Sequence, residues 1–482
     1  MPQGQKSLGK HCSYMEGYLK KSCDELEIIR TNQIGIGLLK NDEQNDSSLT
    51  DYDTFENKCI TAKESIYDDD AFCFLEAFRW ITDAFCEISN NYSSFFLSSS
   101  LIIDVVDFID NTQDNGIKIP FVAEAIINLT CNCYEFVESL YVHHKQEVII
   151  LLSLDQEISD MQSISLLPIV YNLSNYIGIP ELCNVSVINY YSLVTKSHNR
   201  NIVSEQFSFA LIGILRENPI TEPSVLDSLI SSFTSMVLKR TNSCSLYNVS
   251  WCIYYIFKTG FEHNYKNEKC TNCYLKTQFI ETLFTFLEMD DHYVKVALYA
   301  FSFIFCINTC DLLLDVLESI NISAFLLFLD SENQTIVSMA LVLLNNYALS
   351  GKTCMDALLS RSIISILYEL ISKCSFNVTK NSYFLLSSLL YHSVPLNYEL
   401  FNEEIITNLI EGLAISDEDL QTSISKSLLY KYDDIDTIDK CMLNSDNLNM
   451  VTTLSDDPSC SSELFEFVNH IQVRLQQNRI SQ

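Results

Sequence analysis

From about Asp70 to about residue 475 the chain repeats one texture: apolar stretches of ten to fifteen residues, broken by short polar turns. Alternation of period two is not sustained anywhere, so the pattern predicts helices and no strands. Five stretches share a layout, covering 205–219, 248–260, 296–308, 339–351 and 381–393. Each has a bulky position, then an apolar turn, then small or polar residues. The bulky positions are Phe209, Trp251, Tyr299, Leu341 and Tyr383, spaced 42, 48, 42 and 42 apart. The excess of six falls in the polar connection "HNYKNEKCTNCYLK". Upstream, Tyr171 lies 38 before Phe209, and Ile127 lies 44 before Tyr171.

A period near 42 is that of armadillo or HEAT units, each made of two or three helices. One such unit cannot bury its apolar face alone, whereas stacked neighbours share a continuous core. The expected fold is therefore an all-α solenoid of armadillo or HEAT units. Residues four apart on a helix share a face. Tyr171 and Asn175 are expected to project together, as are Phe209 and Gly213, Trp251 and Tyr255, Leu341 and Asn345, and Tyr383 and Ser387. An aromatic ring in a groove can hold a lysine stem and ammonium. An asparagine one turn on can both donate to and accept from the backbone of an extended peptide. Core packing between repeats is the competing role for each ring.

Composition narrows the partners. Acidic residues number 62 and basic residues 30, giving a net charge of −32. Phosphate binding needs clustered Lys and Arg, so nucleic acid is not an expected partner. A basic protein segment suits this charge, and a merely soluble acidic surface, the plainer reading of charge alone, competes with it. Gly numbers 11 and Pro 8, few enough to favour long helices with short loops. The opening residues carry no apolar signal core, and "VALYAFSFIFCINTC" ends at Asp311 before it could span a bilayer. No membrane is expected, and the 18 cysteines are expected to be reduced. "NDEQNDSSLTDYDTFE" (41–56) is polar and acidic and reads as a flexible linker.

Several of these stretches resemble importin alpha, the adaptor that binds nuclear localisation signals. "LYNVSWCIYYIFKTG" (246–260) resembles its third armadillo repeat through Asn248, Trp251 and Lys258. "EQFSFALIGILRENP" (205–219) resembles its second repeat through Glu205, Gln206, Ala210, Leu211, Ile214 and Pro219. "YNLSN" (171–175) and "EAIINLT" (124–130) are similar to further repeats. "RTNQIGIGLLKNDEQ" (30–44) resembles the importin-β-binding segment, with Arg30, Ile34, Ile36, Leu38, Lys40, Asp42, Glu43 and Gln44 matching.

The resemblance implies the armadillo kind of solenoid, a right-handed armadillo-repeat superhelix of about eight to ten units. It implies three regions: an importin-β-binding-like segment over 1–45, a flexible acidic linker over 46–69, and an armadillo solenoid over 70–475. It implies a cargo-peptide site at Tyr171, Asn175, Phe209, Glu217, Trp251, Asn345 and Tyr383. There Glu217 pairs with the cargo lysine, the rings wall its stem and Asn175 clamps the backbone. It implies contact with importin beta through Arg30, Ile34, Ile36, Leu38 and Lys40. The implied partners are basic nuclear localisation signals, importin beta and an export receptor, and the implied places are cytoplasm and nucleus. The sequence also departs from the family. Its asparagine is lost at Gly213, Tyr255, Phe303 and Ser387, and the opening segment is poor in Arg and Lys. The same features suit an armadillo or HEAT scaffold for another basic partner, without a transport role.

Other motifs carry little. "CTNC" (Cys270, Cys273), with His263 near, has zinc-knuckle spacing but no second pair, and two free thiols in a loop are expected. Nucleotide-binding glycine motifs, H-E-x-x-H and G-x-S-x-G are absent, so no cofactor and no catalysis are expected. The acidic runs at 68–70 and 417–419 read as helix ends or turns.

Overall fold

The computed structural model describes scattered positions before residue 201, and 201–480 except 218, 240–242, 265–266, 308–319, 443 and 457–459. The described residues divide into two compact units, with the boundary between Thr285 and Phe286. Among them every regular element is helical.

In the first unit, α1 spans Asn201–Glu217, α2 Pro223–Leu238, α3 Ser243–Asn264 and α4 Glu268–Tyr274. Helix α5, Thr277–Leu287, runs across the boundary. Pro223 opens α2, where a missing N–H leaves no helical bond unmade. The second unit holds α6 (Asp291–Ile304), α7 (Ser323–Leu326), α8 (Gln334–Leu349), α9 (Lys352–Leu359), α10 (Ile363–Lys373) and α11 (Phe376–His392). There follow α12 (Glu403–Glu411), α13 (Glu418–Lys431), α14 (Asp436–Met442), α15 (Ser445–Ser455) and α16 (Ser462–Ile480).

The helices come in threes. In α9, α10 and α11 a short helix, a medium one and a long one fill Lys352 to His392. A single 3-10 turn, Pro395–Leu400, replaces the short helix before α12 and α13, and α14, α15 and α16 form another triple. Local chemistry sets the starts. Asn333, Asn402, Asp417 and Asn444 each accept a backbone N–H of the helix they open. The acidic run at 417–419 is thus a helix start: Asp417 caps α13, and Glu418 and Asp419 sit in its first turn. Gly351, at φ 154°, joins α8 to α9 in a conformation that favours glycine.

The long helices stack on one another: α1 on α3 in the first unit, and α6, α8, α11, α13 and α16 in succession in the second. This places them inside. Every residue of α8 from Ile336 to Ala348 is buried, as is every residue of α11 from Lys380 to Leu390. A helix apolar all round is buried all round, and the outer helices carry the polar surface.

Candidate functional site: the faces of the stacked helices

Stacking buries small polar side chains on the long helices, and each needs a partner. For several of them the partner lies one repeat earlier, most often a backbone carbonyl. In the first unit Thr259 Oγ1 donates to Leu215 O at 2.9 Å, and Asn264 Nδ2 donates to Ile220 O at 2.6 Å, both spanning 44 residues. Asn172 Nδ2 donates to Ile127 O at 3.0 Å and to Thr130 Oγ1 at 3.1 Å. In the second unit Asn346 Nδ2 donates to Ser302 O at 3.0 Å, again 44 residues back. Asn381 Nδ2 donates to Ser338 Oγ at 2.8 Å, and Ser427 Oγ to Ser387 O at 2.8 Å. A helical carbonyl has two lone pairs and uses one within its helix, so a neighbour can take the other. The repeat period read from bulky positions thus reappears as the span of a hydrogen-bond ladder.

The expected site residues occupy these same helices. Tyr171 and Phe209 come together across one repeat, with ring centroids 4.3 Å apart and planes 26° apart. Tyr171 is 8% exposed, and Phe209 is half-buried. Trp251 is 2% exposed, walled by Tyr254 at 5.6 Å edge-on and Tyr255 at 6.1 Å stacked. Its ring, and that of Tyr255 one turn on, face the core in this state rather than an open trough. Lys258 lies over Tyr254 and Tyr255, at 5.5 and 5.6 Å from the ring centroids. The chain's own lysine therefore covers the pair of tyrosines beside Trp251.

Tyr383 is likewise sealed. Burial, with Glu411 nearby, pushes its hydroxyl pKa up to about 12. Its ring packs so closely on Gly412 that a Cβ there would lie 2.9 Å from Tyr383 Cδ1. Ser387, one turn on, shares a 2.7 Å hydrogen bond with Ser423. Leu341 is fully buried, and Asn345 one turn on is 2% exposed. The Asn345 amide oxygen has no hydrogen-bond partner in the chain, whereas its neighbour Asn346 is engaged. Glu217 is the last residue of α1, and its side chain is outside the described set. Asn175, Arg30, Ile34, Ile36, Leu38 and Lys40 also lie outside the described residues.

The sequence reading missed Asn172 and Asn346, which hold neighbouring repeats, and missed Lys258 as an occupant of aromatic faces. For Asn172 the signal was present: it stands 42 residues after Thr130. The "CTNC" pair differs from expectation in a second way. Cys270 and Cys273 lie on α4 and not in a loop, and both are buried. Their thiols lie 3.6 Å from Thr221 O and 3.2 Å from Lys269 O. Burial raises both thiol pKa values, with the nearby acids Glu222 at Cys270 and Asp227 at Cys273 adding to it, and Cys273 reaches about 11. Among the described residues no cluster of His, Cys, Asp and Glu fits a metal ion, and no helix is long and apolar enough to cross a membrane.

Solved structures share this architecture. A crystal structure of an engineered protein superposes with a TM-score of 0.67 over 87% of this chain and 99% of that one, at 13% identity. A structure from work on a phosphorylation switch controlling the interaction between cadherin and beta-catenin gives 0.59 over 86% and 85%, at 11% identity. The fold is an armadillo-repeat solenoid of helices. At such identities the likeness extends to fold alone. A designed armadillo repeat protein aligns over 50% of this chain at a TM-score of 0.39, too low to add weight. No family model and no curated protein matches the sequence.

Proposed function

We propose that this armadillo solenoid binds an extended, lysine-rich protein segment along its long helices, as an adaptor between such cargo and importin beta, working in both cytoplasm and nucleus. The observation that carries the peptide-binding part is the Asn345 amide oxygen, an acceptor buried without a partner. Leaving such a group unsatisfied costs about 1–3 kcal/mol, which an extended peptide's N–H would relieve on displacing the side chains that cover Asn345. Its neighbour Asn346 already holds the adjacent repeat, so the two asparagines have separate work. The half-buried ring of Phe209, stacked on Tyr171, supports a lysine stem lying along the first unit. The net charge of −32 favours a basic segment over an acidic one. Trp251 in the first unit and Tyr383 in the second, sealed as they are, would each act as rigid backing for the surface of its own unit. The transport part rests on the resemblance of 30–44 and 171–260 to importin alpha.

Calorimetric titration of a lysine-rich peptide into the full chain tests the binding, and Glu217→Arg tests the ion pair. Micromolar or tighter binding that Glu217→Arg abolishes supports the reading, and unchanged affinity in that variant removes Glu217 from the site. Pull-down of the full chain by importin beta tests the adaptor role. The burial of Trp251 favours the second reading, a scaffold for another basic protein without a transport role. Peptide binding without importin beta capture would select it.

A further inference from the structure

A different surface, at the C-terminal ends of α11 and α13, carries a tyrosine pair that stacks across the two helices and still stands open to solvent. Tyr391 and Tyr430 stack with centroids 4.6 Å apart and planes 29° apart. Yet Tyr430 is 61% exposed and Tyr391 37%. The 3-10 turn Pro395–Leu400 is tied to Tyr430 through Lys431, whose Nζ lies 3.4 Å from Tyr398 Oη, and on that turn Leu396 is 89% exposed and Leu400 43%. Single exposed apolar residues are ordinary, but an exposed stacked pair together with two exposed leucines on the turn that Lys431 ties to it is more than that.

Its charge says what fits. The exposed residues of 391–400 and 430–436 include Glu399, Asp433, Asp434 and Asp436 and no lysine or arginine. Lys431, the cation of this stretch, is 5% exposed. Its Nζ donates to Ser393 O at 2.7 Å and lies 4.9 Å from the Tyr430 centroid and 5.4 Å from that of Tyr398. Tyr398 in turn donates its hydroxyl to Asp434 at 3.0 Å. Arg474 reaches Asp433 at 3.5 Å. Four carboxylates thus meet two cations, one of them buried, on an apolar, aromatic corner. A second copy of this chain would set acid against acid across a two-fold axis, which disfavours self-association. A guanidinium stacks flat on tyrosine and forks onto a carboxylate, which an ammonium cannot do.

We propose that the Tyr391–Tyr430 corner docks an arginine-bearing segment of a protein partner, with leucine-like residues of that segment against Leu396 and Leu400. It is separate from the inner face around Asn345. The probe is a fluorescein-labelled peptide alternating leucine and arginine, with a leucine–lysine peptide of equal charge beside it, titrated into the full chain by anisotropy. The arginine peptide should bind more tightly than the lysine peptide and lose about tenfold or more in affinity with Tyr430→Ala. Asp434→Asn should weaken it several-fold, and Asn345→Ala should leave it unchanged. Circular dichroism melts confirm folding, and Tyr391→Leu provides a second removal of the stack. Equal affinity in wild type and Tyr430→Ala, no binding by either peptide, or a Tyr430-dependent dimer in sedimentation velocity would each overturn the proposal. Loss of binding in Asn345→Ala alone would assign the peptide to the inner face instead.

Discussion

Asn346 Nδ2 donates to the Ser302 carbonyl oxygen at 3.0 Å across one repeat, from a position that is 6% exposed. That bond ties α8 to α6 where neither helix has water to turn to. Removing it leaves a small void and no new partner. Asn346→Ala should therefore destabilise the fold by about 1–3 kcal/mol, read from urea unfolding by circular dichroism. Asn345→Ala removes an orphan acceptor and should be near neutral or slightly stabilising in the same assay.

Gly412 presses on Tyr383 and on Ile424, whose Cδ1 lies 3.0 Å from where a Cβ would sit. Both neighbours are buried, so neither can swing away. Gly412→Ala should cost about 1–3 kcal/mol through overpacking, even though alanine favours helices. Gly412→Ala combined with Tyr383→Leu should recover part of that loss, because the ring that a Cβ meets is gone.

Lys380 and Asp417 form an ion pair between α11 and α13, and Asp417 also caps α13 by accepting the Leu420 N–H at 3.0 Å. The lysine is 9% exposed and its ammonium lies 5.9 Å from the Phe384 ring centroid. Asp417→Ala removes the cap and strands the lysine, so its cost should exceed that of Lys380→Met. Thermal melts of the two variants compare them directly.

Burial pushes the Cys273 thiol up to about 11, from 9.0 for an ordinary cysteine. Above pH 9 the unfolded chain loses this proton while the folded chain keeps it, so stability falls as pH rises from about 9 towards 11. Melting temperature measured at pH 8 and pH 10 should drop, and drop less in Cys273→Ser. Iodoacetamide at pH 8 should label Cys273 slowly in the native chain and quickly in urea.

How much of this is legible in the sequence follows from the helices themselves. The bulky positions 42 residues apart announced the period, and the bond from Asn172 to Thr130 spans the same 42. Units of two or three helices, and a helix end or turn at 417–419, were legible too, because caps and breakers are local; that Asp417 opens a helix is seen only in the structure. The orientation of the rings was not. Residues 336–348 are buried on every side, so i, i+4 spacing does not say which face meets a groove and which meets the next repeat. Two adjacent asparagines, Asn345 and Asn346, lie about 100° apart on the helix, and only packing separates the bonded one from the orphan. The thiols of "CTNC" were misplaced because α4 is seven residues long, too short to show periodicity.

Calorimetric titration of a lysine-rich peptide into wild type, Asn345→Ala and Asn346→Ala probes the division of labour between neighbouring asparagines most directly. Loss of binding in Asn345→Ala at unchanged stability, with Asn346→Ala destabilised but still binding while folded, is the predicted result. Full affinity in Asn345→Ala would contradict it.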